Sequence, residues 1–265
     1  MNALKETKKK HLLAILKYLY LHNSSTMNEL VENLQLSQPS IRNMVRTLQE
    51  KQLIQEAGND LSSGGRCPTR FALNEKNYLI LCLYVQVDKV IYQLRNFNEI
   101  KKEGILFYQS EDELKKTIKD LIDQEKIHCC QIAVEGIVYE DVYVTDHHNV
   151  LEKHQWLKDI KKEINIPLQL QNDVKMIHQG CYFTYQQDST YYLYINEVGI
   201  GSSYFYKDEP LYGRSGIMGE IGLISLKGKT INQQIRECQN QEEFNEILSL
   251  LLSMVFTMID PKRLE

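Results

Sequence analysis

Two domains are predicted for this 265-residue chain, a small helical unit closed by a β-hairpin and a larger α/β unit. Three observations predict this division. Apolar residues recur at helical spacing through the first fifty positions or so. From residue 78 strand-like runs open the pattern, and helix-like and strand-like segments then alternate, as in α/β domains with a mixed sheet. Charge also changes sign along the chain: residues 1–75 carry ten Lys and Arg against seven Asp and Glu, the remainder 21 against 28. The expected domains are therefore 1–75 and 78–265, joined by the short polar run Asn74-Glu75-Lys76-Asn77.

In the first domain, Lys8-Lys9-Lys10 leads into a helix whose buried face is Leu12, Ile15, Leu16 and Leu19. Thr26-Met27-Asn28-Glu29 has the spacing of a capping box, in which hydroxyl and carboxylate satisfy free amides at a helix start. Met27, Leu30, Val31 and Leu34 then form one apolar stripe on a short helix. Leu36-Ser37 makes a turn, Pro39 suits an early helical position, and Ile41, Met44, Val45 and Leu48 repeat the stripe. Gln38, Ser40, Arg42, Asn43 and Arg46 fall on the other face, with no acidic residue among them. Residues 53–56 and 70–73 are expected to pair as strands, with a turn at Gly58-Asn59-Asp60. Between them lies Ser62-Ser63-Gly64-Gly65-Arg66, a wing whose guanidinium can enter a minor groove or hold a phosphate. Two short helices joined by a tight turn, the second polar and basic outside, are what major-groove reading requires. A winged helix-turn-helix that binds double-stranded DNA is expected, with Gln38, Ser40, Arg42, Asn43, Arg46 and Arg66 as its contacts.

In the second domain, residues 78–87, 90–94 and 103–108 read as strands and 112–124 as a helix with Leu114, Ile118, Leu121 and Ile122 inward. A buried-type strand at 128–134 closes on Glu135-Gly136, and a loop is expected from there to Trp156. Helices follow at 157–164, 173–185 and 241–258, with strands at 168–170, 190–195 and 202–206.

Hydrophobic content of 43% and charged content of 25% are ordinary for a soluble globular protein. A net charge of -4 argues against a uniformly basic coat, so nucleic-acid contact is expected only through the basic head. No apolar run reaches the length of a membrane span, and the N-terminus has no apolar signal core. The six Cys show no CxxC pair, which suits a reducing cytoplasm.

With these segments in view, the sequence resembles the ROK family, which contains bacterial sugar-responsive repressors and sugar kinases. The N-terminal part of the likeness runs from Leu36-Ser37-Gln38-Pro39-Ser40-Ile41 to Gly64-Gly65-Arg66-Cys67-Pro68. The C-terminal part is three segments in family order: Ile132-Ala133-Val134-Glu135-Gly136-Ile137-Val138, Gln171-Asn172-Asp173, and Gly216-Ile217-Met218-Gly219-Glu220-Ile221-Gly222. The resemblance implies an α+β head followed by a shortened actin-like, sugar-kinase-like (ribonuclease H-like) α/β domain. It also implies that Asn172, Asp173 and Glu220 hydrogen-bond a sugar, Asp173 matching a catalytic base in the kinases.

The departures bear on chemistry. Kinase members carry an Asp-x-Gly-x-Thr-like phosphate loop after the first strand; here the run is Leu81-Cys82-Leu83-Tyr84-Val85-Gln86-Val87-Asp88, without a glycine. The second phosphate loop survives only as Val198-Gly199-Ile200-Gly201. The family's Gly-Glu-x-Gly-His ends in Leu223, and Cys238 stands alone where a zinc segment is usual. The sequence ends at Asp260-Pro261-Lys262-Arg263-Leu264-Glu265, where the family usually continues. No catalytic residues, cofactor or metal are therefore expected.

Simpler readings stand beside these. Asn172-Asp173 is also an ordinary helix cap, and Asp146-His147-His148 with His154 or His178 matches no defined ligand spacing. Cys129-Cys130 lies among Ile, Ala and Val, so at least one thiol belongs to the core. Tyr191-Tyr192-Leu193-Tyr194 is a strand pattern before it is a stacking platform. Three functions remain open: a homodimeric, sugar-responsive transcriptional repressor; a regulator whose second domain has lost sugar binding and serves oligomerisation or a protein partner; and an active sugar kinase.

Overall fold

Helix α1 (Asn2–His22) buries Ile15 and Leu19 completely, and both meet the apolar faces of two shorter helices, α2 (Met27–Leu34) and α3 (Gln38–Glu50). The computed structural model describes residues 2–60, 67–147, 150–185, 189–196, 199–207 and 209–265. The capping box forms as expected: Glu29 N donates to Thr26 Oγ1 at 3.2 Å while Thr26 N donates to Glu29 Oε2 at 2.8 Å. Gln35, in the left-handed region at φ 53°, ends α2, and Ser37 caps α3 with Pro39 in its first turn. Ile41, Met44, Val45 and Leu48 are all buried.

Strand β1 (Ser24–Thr26), which the sequence reading did not assign, pairs antiparallel with β3 (Thr69–Leu73), and β3 pairs with β2 (Ile54–Asn59). The expected turn at Gly58-Asn59-Asp60 is not there. Strand β2 runs through Gly58 and Asn59 with an irregular register after Glu56, and Gly58 takes φ +101° to accommodate it. Ser62 to Arg66 lie outside the described residues.

A short 3-10 turn (Glu75–Asn77) precedes β4 (Ile80–Val85), β5 (Lys89–Arg95), β6 (Ile100–Phe107), α4 (Glu111–Asp123) and β7 (Cys129–Val134). The expected loop to Trp156 is instead a three-stranded antiparallel sheet: β8 (Ile137–Tyr139), β9 (Val142–His147) and β10 (Val150–His154). Its strands are short and carry Asp and His, which masks their alternation in sequence. In β9 every second side chain, Tyr143 and Thr145, is nonetheless buried. Helix α5 (Trp156–Glu163) follows, its Trp156 Nε1 donating to Tyr143 Oη at 3.0 Å. Strand β11 (Leu168–Asn172) runs parallel to β7, in a five-stranded sheet of order β11-β7-β4-β5-β6. Cys130 in β7 is fully buried, as the apolar surroundings required.

Helix α6 (Asp173–Tyr185) leads to β12 (Ser189–Ile195), β13 (Ile200–Tyr206) and β14 (Glu209–Pro210). A small ribbon, β15 (Ser225–Leu226) with β16 (Lys229–Thr230), precedes α7 (Ile231–Glu237), α8 (Gln241–Met258) and β17 (Arg263–Leu264). Helix α7 starts on a second capping box, Thr230 with Gln233. Strands β14-β13-β12-β17 form a sheet whose core includes Ile200, Ile231 and Leu251.

By contacts the chain divides into two units, Met1–Leu81 with Gln93–Glu103 and Lys126–Cys129, and Cys82–Tyr92 with Gly104–Glu125 and Cys130–Glu265. Among the described residues no helix is long and apolar enough to cross a membrane.

Candidate functional site

Two groups of predicted site residues can be located, one in each unit. In the first, Gln38, Ser40, Arg42, Asn43 and Arg46 are all exposed on the face of α3 opposite its buried stripe. Ser37 Oγ donates to Ser40 Oγ at 3.0 Å, so capping and face share a hydroxyl pair. Arg46 Nε lies 3.5 Å from Glu50, an acidic neighbour one turn on that the sequence reading did not count. Arg66 is outside the described residues.

The same unit holds an ion cluster that no motif in the sequence pointed to. Arg70 on β3 donates to Glu29, to Asp60 at 2.8 Å and to Ser24 Oγ at 3.1 Å. The Thr26 amide and the Arg70 guanidinium hold the Glu29 carboxyl below its ordinary range.

In the second unit, parallel pairing of β7 with β11 sets Val134 opposite Asn172, so Glu135, Gly136, Asn172 and Asp173 meet at the carboxyl ends of two strands. Asn172 Nδ2 donates to the Gly136 carbonyl at 2.9 Å, and its Oδ1 accepts from Lys175 N at 2.9 Å. Asp173 Oδ1 accepts from Val174 N at 2.8 Å. Asn172 therefore caps α6, while Asp173 is the helix's first residue and accepts from the next amide. Tyr84 Oη donates to Glu135 Oε1 at 2.8 Å and lies 3.3 Å from Asp173 Oδ2; Gln86 Nε2 also donates to Glu135, at 3.2 Å. Burial, reinforced by the Glu135 charge, pushes the Asp173 carboxyl up to about 6 against the opposing Val174 and Tyr84 hydrogen bonds.

Lys175, which no motif singled out, joins this group from within the first turn of α6. Its side chain is 1% exposed, and Nζ donates to the Gly216 carbonyl at 2.8 Å and lies 3.7 Å from Glu220 Oε1. Burial lowers the Lys175 pKa and raises that of Glu220, each shift opposed by the partner's charge. Gly216 takes φ +78°, and a Cβ there would collide with the Val138 carbonyl. The structure thus brings Asn172 to the Lys175 backbone amide and Glu220 to its ammonium, and sets Asp173 beside Tyr84 and Glu135. A lysine three residues past an Asn cap, flanked by Val174, Met176 and Ile177, was the available signal.

The histidines go elsewhere. His154 stacks on Tyr143 with Nε2 3.1 Å from Thr145 Oγ1. His178, fully buried, has Nε2 2.8 Å from Thr190 Oγ1, and burial pushes its pKa down to about 4. His148 is outside the described residues, as is Val198. Among the described residues no group of three or more His, Cys, Asp or Glu is placed to hold a metal.

The segments matched to phosphate loops have committed amides. Gln86 N donates to the Lys89 carbonyl at 2.9 Å, Gly199 N to Asn196 Oδ1 at 3.0 Å, and Ile200 N to Asn232 Oδ1 at 2.8 Å.

The model of the ROK family matches residues 104–249. A xylose repressor from Staphylococcus xylosus is 23% identical over 229 residues, covering 78% of this chain and 58% of the repressor. The crystal structure of a ROK family transcriptional regulator, a homologue of the E. coli Mlc protein, has a TM-score of 0.65 at 16% identity. That match covers 88% of this chain and 66% of the other. A ROK family protein from Streptococcus pneumoniae, solved in complex with sucrose, has a TM-score of 0.56 at 14% identity over 70% of this chain and 78% of its own. The chain spans somewhat over half the length of the xylose repressor and about two thirds of the regulator. Those structures share its fold, and with the family model matching more than half of its residues, the chain belongs to the ROK family.

Proposed function

We propose that this protein is a sequence-specific DNA-binding transcriptional regulator, a repressor of sugar-related genes, acting as a homodimer. In this reading residues 1–75 are a winged helix-turn-helix and residues 78–265 a sensing and dimerising domain without phosphoryl transfer. The observation that carries it is the division of α3: four apolar side chains buried on one side, and Gln38, Ser40, Arg42, Asn43 and Arg46 exposed on the other. One such helix reads too few base pairs to be specific, so a dimer on half-sites about one helical turn apart is expected. The likeness to a xylose repressor supports the same conclusion. The committed amides of Gln86, Gly199 and Ile200, with Leu223 in place of a histidine, support loss of kinase activity. Asn172, Asp173 and Glu220 are the proposed sugar contacts. The test is a gel shift on DNA from the gene's own upstream region, with sugars added, beside an ATP-hexose phosphorylation assay. Operator binding that weakens with sugar, without phosphorylation, is expected; ordinary kinase turnover or no DNA binding at low salt overturns the reading.

A second reading has its own support. Both ends of the Asn172 amide are used internally, and Lys175 already holds Glu220. A domain with so few free sugar partners serves oligomerisation or a protein partner instead. Operator affinity unchanged across a panel of sugars favours it.

A further inference from the structure

Helix α8 is apolar on every side but buried on only one. Between Glu246 and Asp260 the sequence carries no charge, yet only Leu251 and Val255 of the helix are buried. Leu250, Phe256 and Met258 are exposed, and an open groove of about 510 Å³ is lined by α8 residues alone. A helix apolar all round is ordinarily covered, and a contiguous apolar patch marks a contact surface. We propose that a second copy of this chain covers it, the two α8 helices packing antiparallel about a two-fold axis. The proposal rests on the homodimeric regulator proposed for this chain and names the surface that joins its copies.

The pattern of side-chain sizes favours a second copy. Two rows run along the groove at every fourth residue. Leu248, Leu252 and Phe256 form a large row, and Asn245, Ser249, Ser253 and Thr257 a small one. In a two-fold contact the same patch serves both sides, so it must complement itself. An antiparallel register centred between Leu250 and Leu251 does this. It sets Ser249 level with the second copy's Leu252, Ser253 with its Leu248, and Asn245 with its Phe256. Every layer then joins one large and one small side chain, as ridges fill grooves between packed helices. A parallel pair would set Leu252 against Leu252 and Ser249 against Ser249, so crowded and empty layers would alternate.

Hydrogen bonding and charge agree with this. Ser253 Oγ donates to the Ser249 carbonyl at 2.8 Å, and Thr257 Oγ1 to the Ser253 carbonyl at 2.6 Å. The small row can therefore lose water without stranding either hydroxyl proton. Glu242, Glu243 and Glu246 are exposed at the start of α8, and Lys262 is exposed just beyond its end. Antiparallel packing carries the acidic end of each helix toward the basic end of the other, whereas parallel packing would set like charges together.

The full chain is sedimented without DNA at micromolar concentrations, where a dimer is expected. Ser249 and Phe256 are exposed, so Ser249→Arg and Phe256→Glu keep the fold, checked by circular dichroism. Each is expected to weaken self-association about tenfold or more, since a few anchoring side chains carry most of a contact's energy. Cross-linking reads the orientation. Asn245→Cys and Thr257→Cys chains are expected to form an oxidised dimer when mixed, beyond that of the unsubstituted chain, and not when either is oxidised alone. A monomeric chain, a dimer indifferent to both substitutions, or cross-linking of either cysteine variant alone overturns the proposal. A dimer indifferent to both leaves the homodimeric regulator standing on another surface. Dissociation as expected in a chain that ignores its operator does the reverse.

Discussion

Arg70 grips Glu29 with both terminal guanidinium nitrogens, Nη1 at 3.3 Å from Oε1 and Nη2 at 3.1 Å from Oε2. The two residues are 41 positions apart, and the same carboxylate caps α2 through the Thr26 amide. One ion pair therefore ties the helix start to β3 and, through Ser24, to β1.

Removing that tie should loosen the first unit. Charge-assisted hydrogen bonds contribute about 1.5–3 kcal/mol, but these side chains are 26% and 40% exposed, so Arg70→Met is expected to cost about 1–2 kcal/mol. The sign with pH follows from Glu29, whose pKa is lowered in the fold, chiefly by the Thr26 amide. Its contribution is complete above its ordinary value of 4.5 and is lost as pH falls through the lowered folded value. Urea denaturation between neutral and acid pH should show that loss, and Glu29→Gln should flatten it. A slope that Glu29→Gln leaves unchanged assigns it to other carboxylates.

Arg42→Ala and Arg46→Ala should weaken operator binding more than binding to random DNA, since a bidentate Arg–guanine contact discriminates bases by about 1–3 kcal/mol. Anisotropy titrations on both DNAs separate the outcomes, and equal loss on the two reassigns the arginines to phosphates. Glu50→Gln removes the carboxylate 3.5 Å from Arg46, an exposed pair. It should strengthen binding to both DNAs slightly, and no change indicates that Arg46 is unrestrained.

Helices α2 and α3 were legible because their signals are local. The capping residues of α2 and the stripe on α3 each sit within a few turns, and the structure keeps them. Gly58 misled for a physical reason: its positive φ serves an irregularity inside β2, where the sequence alone suggests a turn. Strands β8 to β10 are too short to stand out, and only β9 has buried side chains, Tyr143 and Thr145, with Tyr143 against Trp156. Asn172-Asp173 and Glu220 could be located through a resemblance. Tyr84 could not, because it reaches Asp173 across 89 positions and only strand neighbours bring them together.

Asp173 carries a measurable cost at neutral pH. Its folded pKa of about 6 lies above the ordinary 3.8, so its contribution is most favourable below 3.8 and is lost as pH rises through 6. A shift of that size corresponds to about 2–3 kcal/mol at most, at roughly 1.4 kcal/mol per unit. Asp173→Asn keeps an oxygen for the Val174 amide and removes the charge beside Glu135. It should stabilise the protein by about 1–2 kcal/mol above pH 7, with the gain disappearing below pH 4. A variant destabilised equally at both ends shows that the carboxylate's hydrogen bonds outweigh its burial.

Lys175 and Glu220 present the opposite balance. Burial dominates both titrations, so the pair adds little net stability at 3.7 Å, yet each charge needs the other. Lys175→Met leaves Glu220, 15% exposed, without its cation and strands the Gly216 carbonyl. Breaking a buried pair this way costs about 3–5 kcal/mol, while replacing both partners by uncharged groups is often nearly neutral. Lys175→Met should therefore destabilise strongly, and Lys175→Met/Glu220→Gln should recover most of the loss, with a coupling of about 1–3 kcal/mol in a double-mutant cycle. Because the loss in the single variant comes from a stranded carboxylate, lowering the pH should also restore stability, by protonating Glu220. A single variant equally unstable at acid and neutral pH would trace the effect to packing of the lysine stem.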